Sequence, residues 1–113
     1  FDIAGAFDLI HDLPHPQEGI NAIKNSLKPG GIFLLMDIKC TDDPIDNDDP
    51  MALFKFGASL HFCMTTSLAY EGIGLGTVGL PLNKVEELCF NAGFENVKEI
   101  DINHPINSLF QIS

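Results

Sequence analysis

The sequence has no tryptophan, no arginine and no long uninterrupted hydrophobic run. Six lysines stand against 16 acidic residues, which gives a formal net charge of −10 at pH 7. Nucleic acids and anionic membrane surfaces are bound through basic patches, so this balance argues against both as partners. A helix that spans a bilayer needs about 20 apolar residues, and no segment approaches that length. The sequence therefore predicts a protein that acts away from nucleic acids and membranes.

Cysteine is also scarce, and its spacing excludes two further classes. Cys40, Cys63 and Cys89 are too far apart for a disulfide framework or a metal-binding knuckle, and they suit a reducing compartment. No basic segment followed by an apolar core opens the chain, so no signal peptide is predicted. We therefore expect a cytoplasmic protein without a metal site. Phe1 lies inside an apolar pattern, which suggests a chain cut from a longer one.

The residues that are present describe one α/β domain. A chain of 113 residues with 45% hydrophobic residues can form a single core. The apolar segment from Phe1 to His11 predicts a strand, and Pro16 with apolar residues at helical spacing predicts a helix that ends at Pro29-Gly30-Gly31. Ile32 to Met36, followed by Asp37, predicts the next strand. Together these elements form a βαβ unit, whose two strands are parallel.

The second half of the sequence is more varied. Residues 41–50 form an acidic segment that lacks the glycine and glutamate of a calcium-binding loop, so a surface loop is favoured. Met51 to Tyr70 predicts a long helix that is apolar nearly all round and is buried or lines a ligand cavity. A shorter helix is predicted from Leu82 to Ala92. Two last strands, one from Val97 and one ending at Ile112, are joined closely enough to be antiparallel.

Two local motifs have competing interpretations. Gly74-x-Gly76-x-x-Gly79 matches the dinucleotide-binding pattern, but a helix precedes it where a strand is required, so a flexible loop is favoured over a phosphate site. His61-x-Cys63-Met64 is a poor metal site, because helical positions two apart do not face each other. His61 is either a pocket residue or an ordinary core or interface histidine.

His11 and Asp12 are the most informative pair, because they directly follow the first predicted strand. Ligands of open α/β sheets gather at the carboxyl ends of the strands, and Asp37 ends the next strand of the βαβ unit. Adjacent strands lie about 5 Å apart, so the His11 imidazole and the Asp37 carboxylate can meet. A histidine oriented by a carboxylate is a good general base. The alternative is a capping role for His11 and loop bonds for Asp37.

An ordered set of motifs resembles the second half of a class I S-adenosylmethionine-dependent methyltransferase. The set begins with Phe7-Asp8-Leu9-Ile10-His11-Asp12, Leu27-Lys28-Pro29-Gly30-Gly31 and Phe33-Leu34-Leu35-Met36-Asp37. The segment from Leu60 to Ala69, with Gly72-Ile73-Gly74-Leu75-Gly76 and Asn91-Ala92-Gly93-Phe94, is similar to small-molecule methyltransferases that carry an N-terminal winged-helix segment.

The resemblance implies a fold and a strand assignment. It predicts the C-terminal half of a Rossmann-like sheet of seven strands in the order 3-2-1-4-5-7-6, with the last strand antiparallel. Strand four is Phe1–Ile10, strand five is Ile32–Ile38, strand six is Val97–Ile102 and strand seven is Ser108–Ile112. Residues 1–113 are then a single partial methyltransferase domain, incomplete and inactive by itself.

The resemblance also implies residue roles. His11 and Asp12 match the pair that supplies the general base in plant-type O-methyltransferases, and Asp37 matches the acid that orients it. The further acid of those enzymes has no clear counterpart within 72–79, although Glu71 lies beside that segment. S-adenosylmethionine in the complete protein would touch strand four around Ala6, Phe7 and Asp8. The substrate-binding candidates in the long helix are His61 and Met64.

Three functions follow as hypotheses. The first is the C-terminal portion of a methyltransferase that acts on a small-molecule acceptor, which is uncharged or cationic and partly apolar. The second is a non-catalytic module that pairs through the exposed edge of strand four, for example as a homodimer. The third is a small nucleotide-binding module that uses Gly74 to Gly79.

Overall fold

The structure is a computed structural model that describes residues 1–39 and 79–113, together with the single positions Pro50, Phe54 and Ala69. Its elements, in chain order, are strand β1, a 3-10 turn, helix α1, strand β2, helix α2 and strands β3 and β4. Their bounds are Ile3–Phe7 for β1, Ile10–Asp12 for the turn, Pro16–Ser26 for α1, Ile32–Ile38 for β2, Leu82–Asn91 for α2, Val97–Ile100 for β3 and Asn107–Ile112 for β4. The predicted long helix, residues 51–70, lies outside the described residues apart from two positions.

The four strands form one mixed sheet in the order β1-β2-β4-β3. β1 and β2 are parallel, with Ile3 opposite Ile32 and Phe7 opposite Met36. β4 runs antiparallel to both β2 and β3. The βαβ unit and the terminal antiparallel pair are therefore present as the sequence predicts, and β4 lies between β2 and β3 in the sheet.

The core lies between one face of the sheet and the two helices. Alternate residues of β2, Phe33 and Leu35, are fully buried, and Phe110 of β4 lies beside them. Ile20 of α1 and Val85 of α2 complete the same apolar cluster. Pro16 fits the first turn of α1 because its missing N–H would have no partner there. Both helices therefore pack on the face of the sheet that also contains Asp37.

The first strand is shorter than the sequence suggests. Predicted to extend from Phe1 to Ile10 or His11, it ends at Phe7, because Asp8 adopts a left-handed conformation with φ of 49°. The Asp8 N–H still donates to the Met36 carbonyl at 2.8 Å, and the chain then turns through the 3-10 segment. Ile10 lies in that turn, and its side chain is fully buried in the core below the sheet. The apolar residue at this position therefore reflects packing in the core and not a longer strand.

The other strand boundaries differ by one or two residues from the predictions. β3 ends at Ile100 and not at Ile102, which is exposed, and β4 begins at Asn107, one residue before the predicted Ser108. The turn between them is fixed by His104, whose Nδ1 accepts hydrogen bonds from the N–H groups of Ile106 and Asn107 at 3.2 and 3.0 Å. This side-chain contact sets the residue at which β4 starts.

Candidate active site

The carboxyl ends of β1 and β2 bring an imidazole and a carboxylate together. Asp37 is the sixth residue of β2, and its side chain is on the core face, where it is fully buried. His11 lies in the 3-10 turn that follows β1, and only 3% of its surface is exposed. The approach of these two side chains that parallel pairing predicts is therefore present in the structure.

The His11 ring is held on both of its nitrogens. Its Nδ1 lies 2.6 Å from Oδ1 of Asp37, a contact that is an ion pair when the ring is protonated and in which the ring N–H is not aligned on the oxygen. Its Nε2 lies 3.3 Å from Oδ1 of Asp12, whose side chain is 41% exposed. The three groups thus form a continuous path from a buried carboxylate through the imidazole to a carboxylate at the surface.

Asp37 is fixed by the backbone as well as by His11. Its Oδ1 accepts a hydrogen bond of 2.8 Å from the N–H of Ile38. Its Oδ2 is buried and has no hydrogen-bond partner within the described part of the chain. A carboxylate in such surroundings is costly unless a cation stays beside it, and His11 is the group in position to supply that charge.

The pKa of His11 is raised above its ordinary value. Burial is the largest single influence and lowers the pKa, because a charged imidazole loses hydration. The contact with Asp37 and the negative charges of Asp37, Asp12 and Asp8 act in the opposite direction and together outweigh burial. His11 therefore takes and holds a proton more readily than a free histidine does.

The residues predicted to contact a cofactor divide into two kinds. Phe7 has 59% of its surface exposed, and Asp8 is also exposed at the end of β1. Ala6 lies on the opposite face of the strand, with 2% exposed and its methyl group in the core. A molecule bound at this end of β1 would therefore meet the side chains of Phe7 and Asp8 but only the main chain of Ala6.

Asn107 is a residue of the candidate site that the sequence analysis did not identify. This first residue of β4 is buried and donates a hydrogen bond of 2.5 Å from its side-chain Nδ2 to Oδ1 of Asp8. The two residues are 99 positions apart, and no spacing pattern connects them. An asparagine at the edge of an apolar segment could have been noticed, but its partner could not have been named.

The predicted substrate-binding residues His61 and Met64 lie outside the described residues, as does most of the 72–79 glycine segment. Its last member, Gly79, is described and contacts the end of β2. A Cβ placed on Gly79 would lie 2.2 Å from the Ile38 carbonyl oxygen, and the neighbouring Leu80 N–H donates to that same oxygen at 3.1 Å. Close packing against β2 thus accounts for this glycine.

Two features are absent from the described residues: a group of metal ligands and a helix that could span a membrane. Within 1–39 and 79–113, no three His, Cys, Asp or Glu side chains are grouped as metal ligands. Nor does any helix in these ranges have the length and apolar character that crossing a membrane requires.

The comparisons with known proteins give a fold. No protein-family model and no curated protein sequence matches the chain. The solved structure of an O-methyltransferase family protein from Burkholderia thailandensis is similar, with a TM-score of 0.65 and 22% identity over 99% of this chain and 30% of that one. A possible exported protein from Bordetella parapertussis gives a TM-score of 0.59 and 13% identity, over 99% of this chain and 38% of that one.

These likenesses define the class of fold. The chain has a mixed α/β architecture with a four-stranded sheet that is similar to part of a methyltransferase. It spans about a third of the length of the structures that it matches.

Proposed function

We propose that the chain is the C-terminal portion of an S-adenosylmethionine-dependent methyltransferase for a small-molecule acceptor, with His11 as the general base. The observation that carries the proposal is the His11 ring held against buried Asp37 at the carboxyl end of a sheet similar to part of an O-methyltransferase. In sheets of this type, ligands bind outside the carboxyl ends of the strands. His11 and Asp37 occupy that end.

The strand order supports the proposed position of the chain within the larger fold. The order β1-β2-β4-β3, with β4 antiparallel to its neighbours, is what strands four, five, seven and six of a methyltransferase sheet would give. Under this assignment β1 is strand four and lies next to the remaining strands of the complete domain.

The proposed proton chemistry uses both ring nitrogens of His11. Asp37 faces Nδ1, so in the neutral form of the ring Nε2 would take the proton from an acceptor hydroxyl as its oxygen bonds to the methyl carbon, while the bond from that carbon to the sulfonium sulfur breaks and a neutral thioether leaves. Asp12, whose Oδ1 lies 3.3 Å from Nε2 and whose side chain is 41% exposed, would pass the proton on toward solvent. Asp37 stabilises the imidazolium that results.

The side chains at the end of β1 are chemically suited to the proposed cofactor. S-adenosylmethionine is a sulfonium cation that supplies an electrophilic methyl group when it is bound. Phe7 offers an exposed aromatic face and Asp8 a carboxylate, both of which attract a cation, while Ala6 would contribute its main chain. His61 and Met64 remain the proposed residues on the acceptor side, and the protein is proposed to be cytoplasmic.

The experiment is an assay of methyl transfer from S-adenosylmethionine to a panel of small phenols, amines and thiols by the complete enzyme. His11→Ala should lower kcat by about 10²–10⁴-fold, the usual contribution of a general base, with little change in cofactor affinity. Asp37→Asn should also lower kcat, but by a smaller factor, because the His11 ring remains and is only less well oriented. His15→Ala, which changes an exposed histidine in the same segment, serves as the control. Normal turnover by His11→Ala would exclude the base role and favour an acceptor that needs no base.

The exposed side of β1 favours a second candidate function, an interaction module that pairs through this edge. Within the described residues β1 has a strand partner on one side only, and Phe1, Ile3 and Phe7 are 76%, 62% and 59% exposed. An apolar edge without charge or proline in its interior recruits other strands. Stable dimers of a protein without methyl transfer would favour this candidate over the enzyme.

A further inference from the structure

The carboxylate of Asp8 is held by a contact that spans the sheet. Asp8 follows β1, whereas Asn107 begins β4, and β2 lies between these two strands. The hydrogen bond from Asn107 Nδ2 to Asp8 Oδ1 therefore bridges the carboxyl end of β2, next to Ile38, with which Asn107 is paired. This is the end of β2 at which Asp37 meets His11.

Both ends of this bridge are fixed by the backbone. Asp8 has a left-handed φ of 49°, and its N–H donates to the Met36 carbonyl. The N–H of Asn107 donates to Nδ1 of His104, which fixes the residue at the start of β4. Asn107 is buried while Asp8 is exposed, so the amide is the anchored partner and the carboxylate is the group that it holds.

We propose that Asn107 is a positioning residue that holds the Asp8 carboxylate in place as part of the charged surroundings of His11. Among the described residues, Asp37 and Asp12 contact the imidazole directly, and Asp8, three residues before His11 at the same end of the sheet, adds a smaller influence of the same sign. Without Asn107, an exposed aspartate would turn into solvent, where its charge is screened. Any effect of Asn107 on catalysis rests on the proposed function. The hydrogen bond between Asn107 and Asp8 and the titration of His11 do not depend on that function.

The test is the titration of the His11 ring protons by NMR in wild type, Asp8→Asn, Asn107→Ala and the double variant. Asp8→Asn removes only the charge, because asparagine accepts a left-handed backbone and its amide oxygen still accepts from Asn107. Each single variant should lower the pKa of His11 by roughly 0.3–0.5 of a pH unit. Because both act through one carboxylate, the double variant should match Asp8→Asn.

The control is Asp2→Asn, which removes an exposed carboxylate from the other end of β1, where it pairs with Lys28. It should leave the titration of His11 unchanged, since exposed charges this far apart are screened. Three results would overturn the proposal: no shift in Asp8→Asn, no shift in Asn107→Ala, or an additional shift when Asn107→Ala is added to Asp8→Asn. Loss of methyl transfer with an intact titration pattern would count against the proposed function alone.

Discussion

At the scale of the residue, His11 is a buried base between two acids, and this arrangement ties its protonation to folding. The ring has 3% of its surface exposed and lies 2.6 Å from the equally buried Asp37. An unfolded chain gives histidine its ordinary pKa near 6.5. Any rise in the folded state is therefore free energy that the protonated ring contributes to stability.

The pH dependence of stability follows from this raised pKa. Because folding raises the pKa of His11, this residue holds its proton in the folded chain but loses it in the unfolded chain between about pH 6.5 and the folded pKa. The contribution is fully present below that pH and is lost as pH rises through the folded pKa. Urea unfolding of wild type should show a free energy of unfolding that declines over this range.

The His11→Ala variant should lack this decline, whereas His15→Ala, which changes an exposed histidine, should keep it. If the free energy of unfolding declined equally with pH in wild type, His11→Ala and His15→Ala, a group other than His11 would be responsible for the decline. Stability that rises with pH in this window would contradict the direction of the pKa shift itself.

At the scale of the element, the end of β2 depends on a glycine that precedes α2. Gly79 has a φ of 155°, and its missing side chain leaves room for the Ile38 carbonyl. Ile38 in turn donates its N–H to Asp37. The position of Asp37 therefore depends on the path of the chain at Gly79.

Gly79→Ala should destabilise the protein by about 2 kcal/mol or more, because its Cβ would collide with a backbone atom that cannot move aside. Gly30→Ala is the matched control: Gly30 also has a positive φ, of 80°, but nothing lies within 4 Å of its Cβ position. Its cost should be only about 1–2 kcal/mol, the cost of the left-handed backbone. Thermal unfolding measures both, and equal losses would show that the contact with Ile38 is unimportant.

The elements differ in how far the sequence predicts them. Helix α1 and strand β2 follow from local patterns: α1 has apolar residues at helical spacing, and β2 is a continuous apolar run from Ile32 to Met36 between a Pro-Gly-Gly turn and Asp37. The left-handed turn at Asp8 does not, since an aspartate within an apolar segment fits a strand equally well. The meeting of His11 and Asp37 is predictable because neighbouring parallel strands end together. The hydrogen bond from Asn107 to Asp8 is not, because it depends on how the start of β4 and the end of β1, 99 positions apart, are placed in the sheet.

At the scale of the whole molecule, charge and apolar surface act against each other. The net charge of −10 keeps copies apart, while the β1 segment, which within the described residues has a strand partner on one side only, exposes Phe1, Ile3 and Phe7. Only Asp2 and Asp8, at either end of this edge, add charge to it. The repulsion is long-ranged and screened by salt, whereas the apolar attraction is short-ranged and is not.

The isolated 113-residue chain should therefore self-associate through β1, and association should increase with ionic strength as the repulsion between acidic copies is screened. Ile3→Lys places a charge on the first residue of β1 and should shift the equilibrium toward monomers. Ile102→Lys, at an exposed isoleucine beyond β3, adds the same charge elsewhere and should do so much less. Light scattering at several protein and salt concentrations measures all three proteins. Monomers at high concentration and high salt, or an equal effect of the two lysines, would mean that the β1 edge does not pair with a second copy.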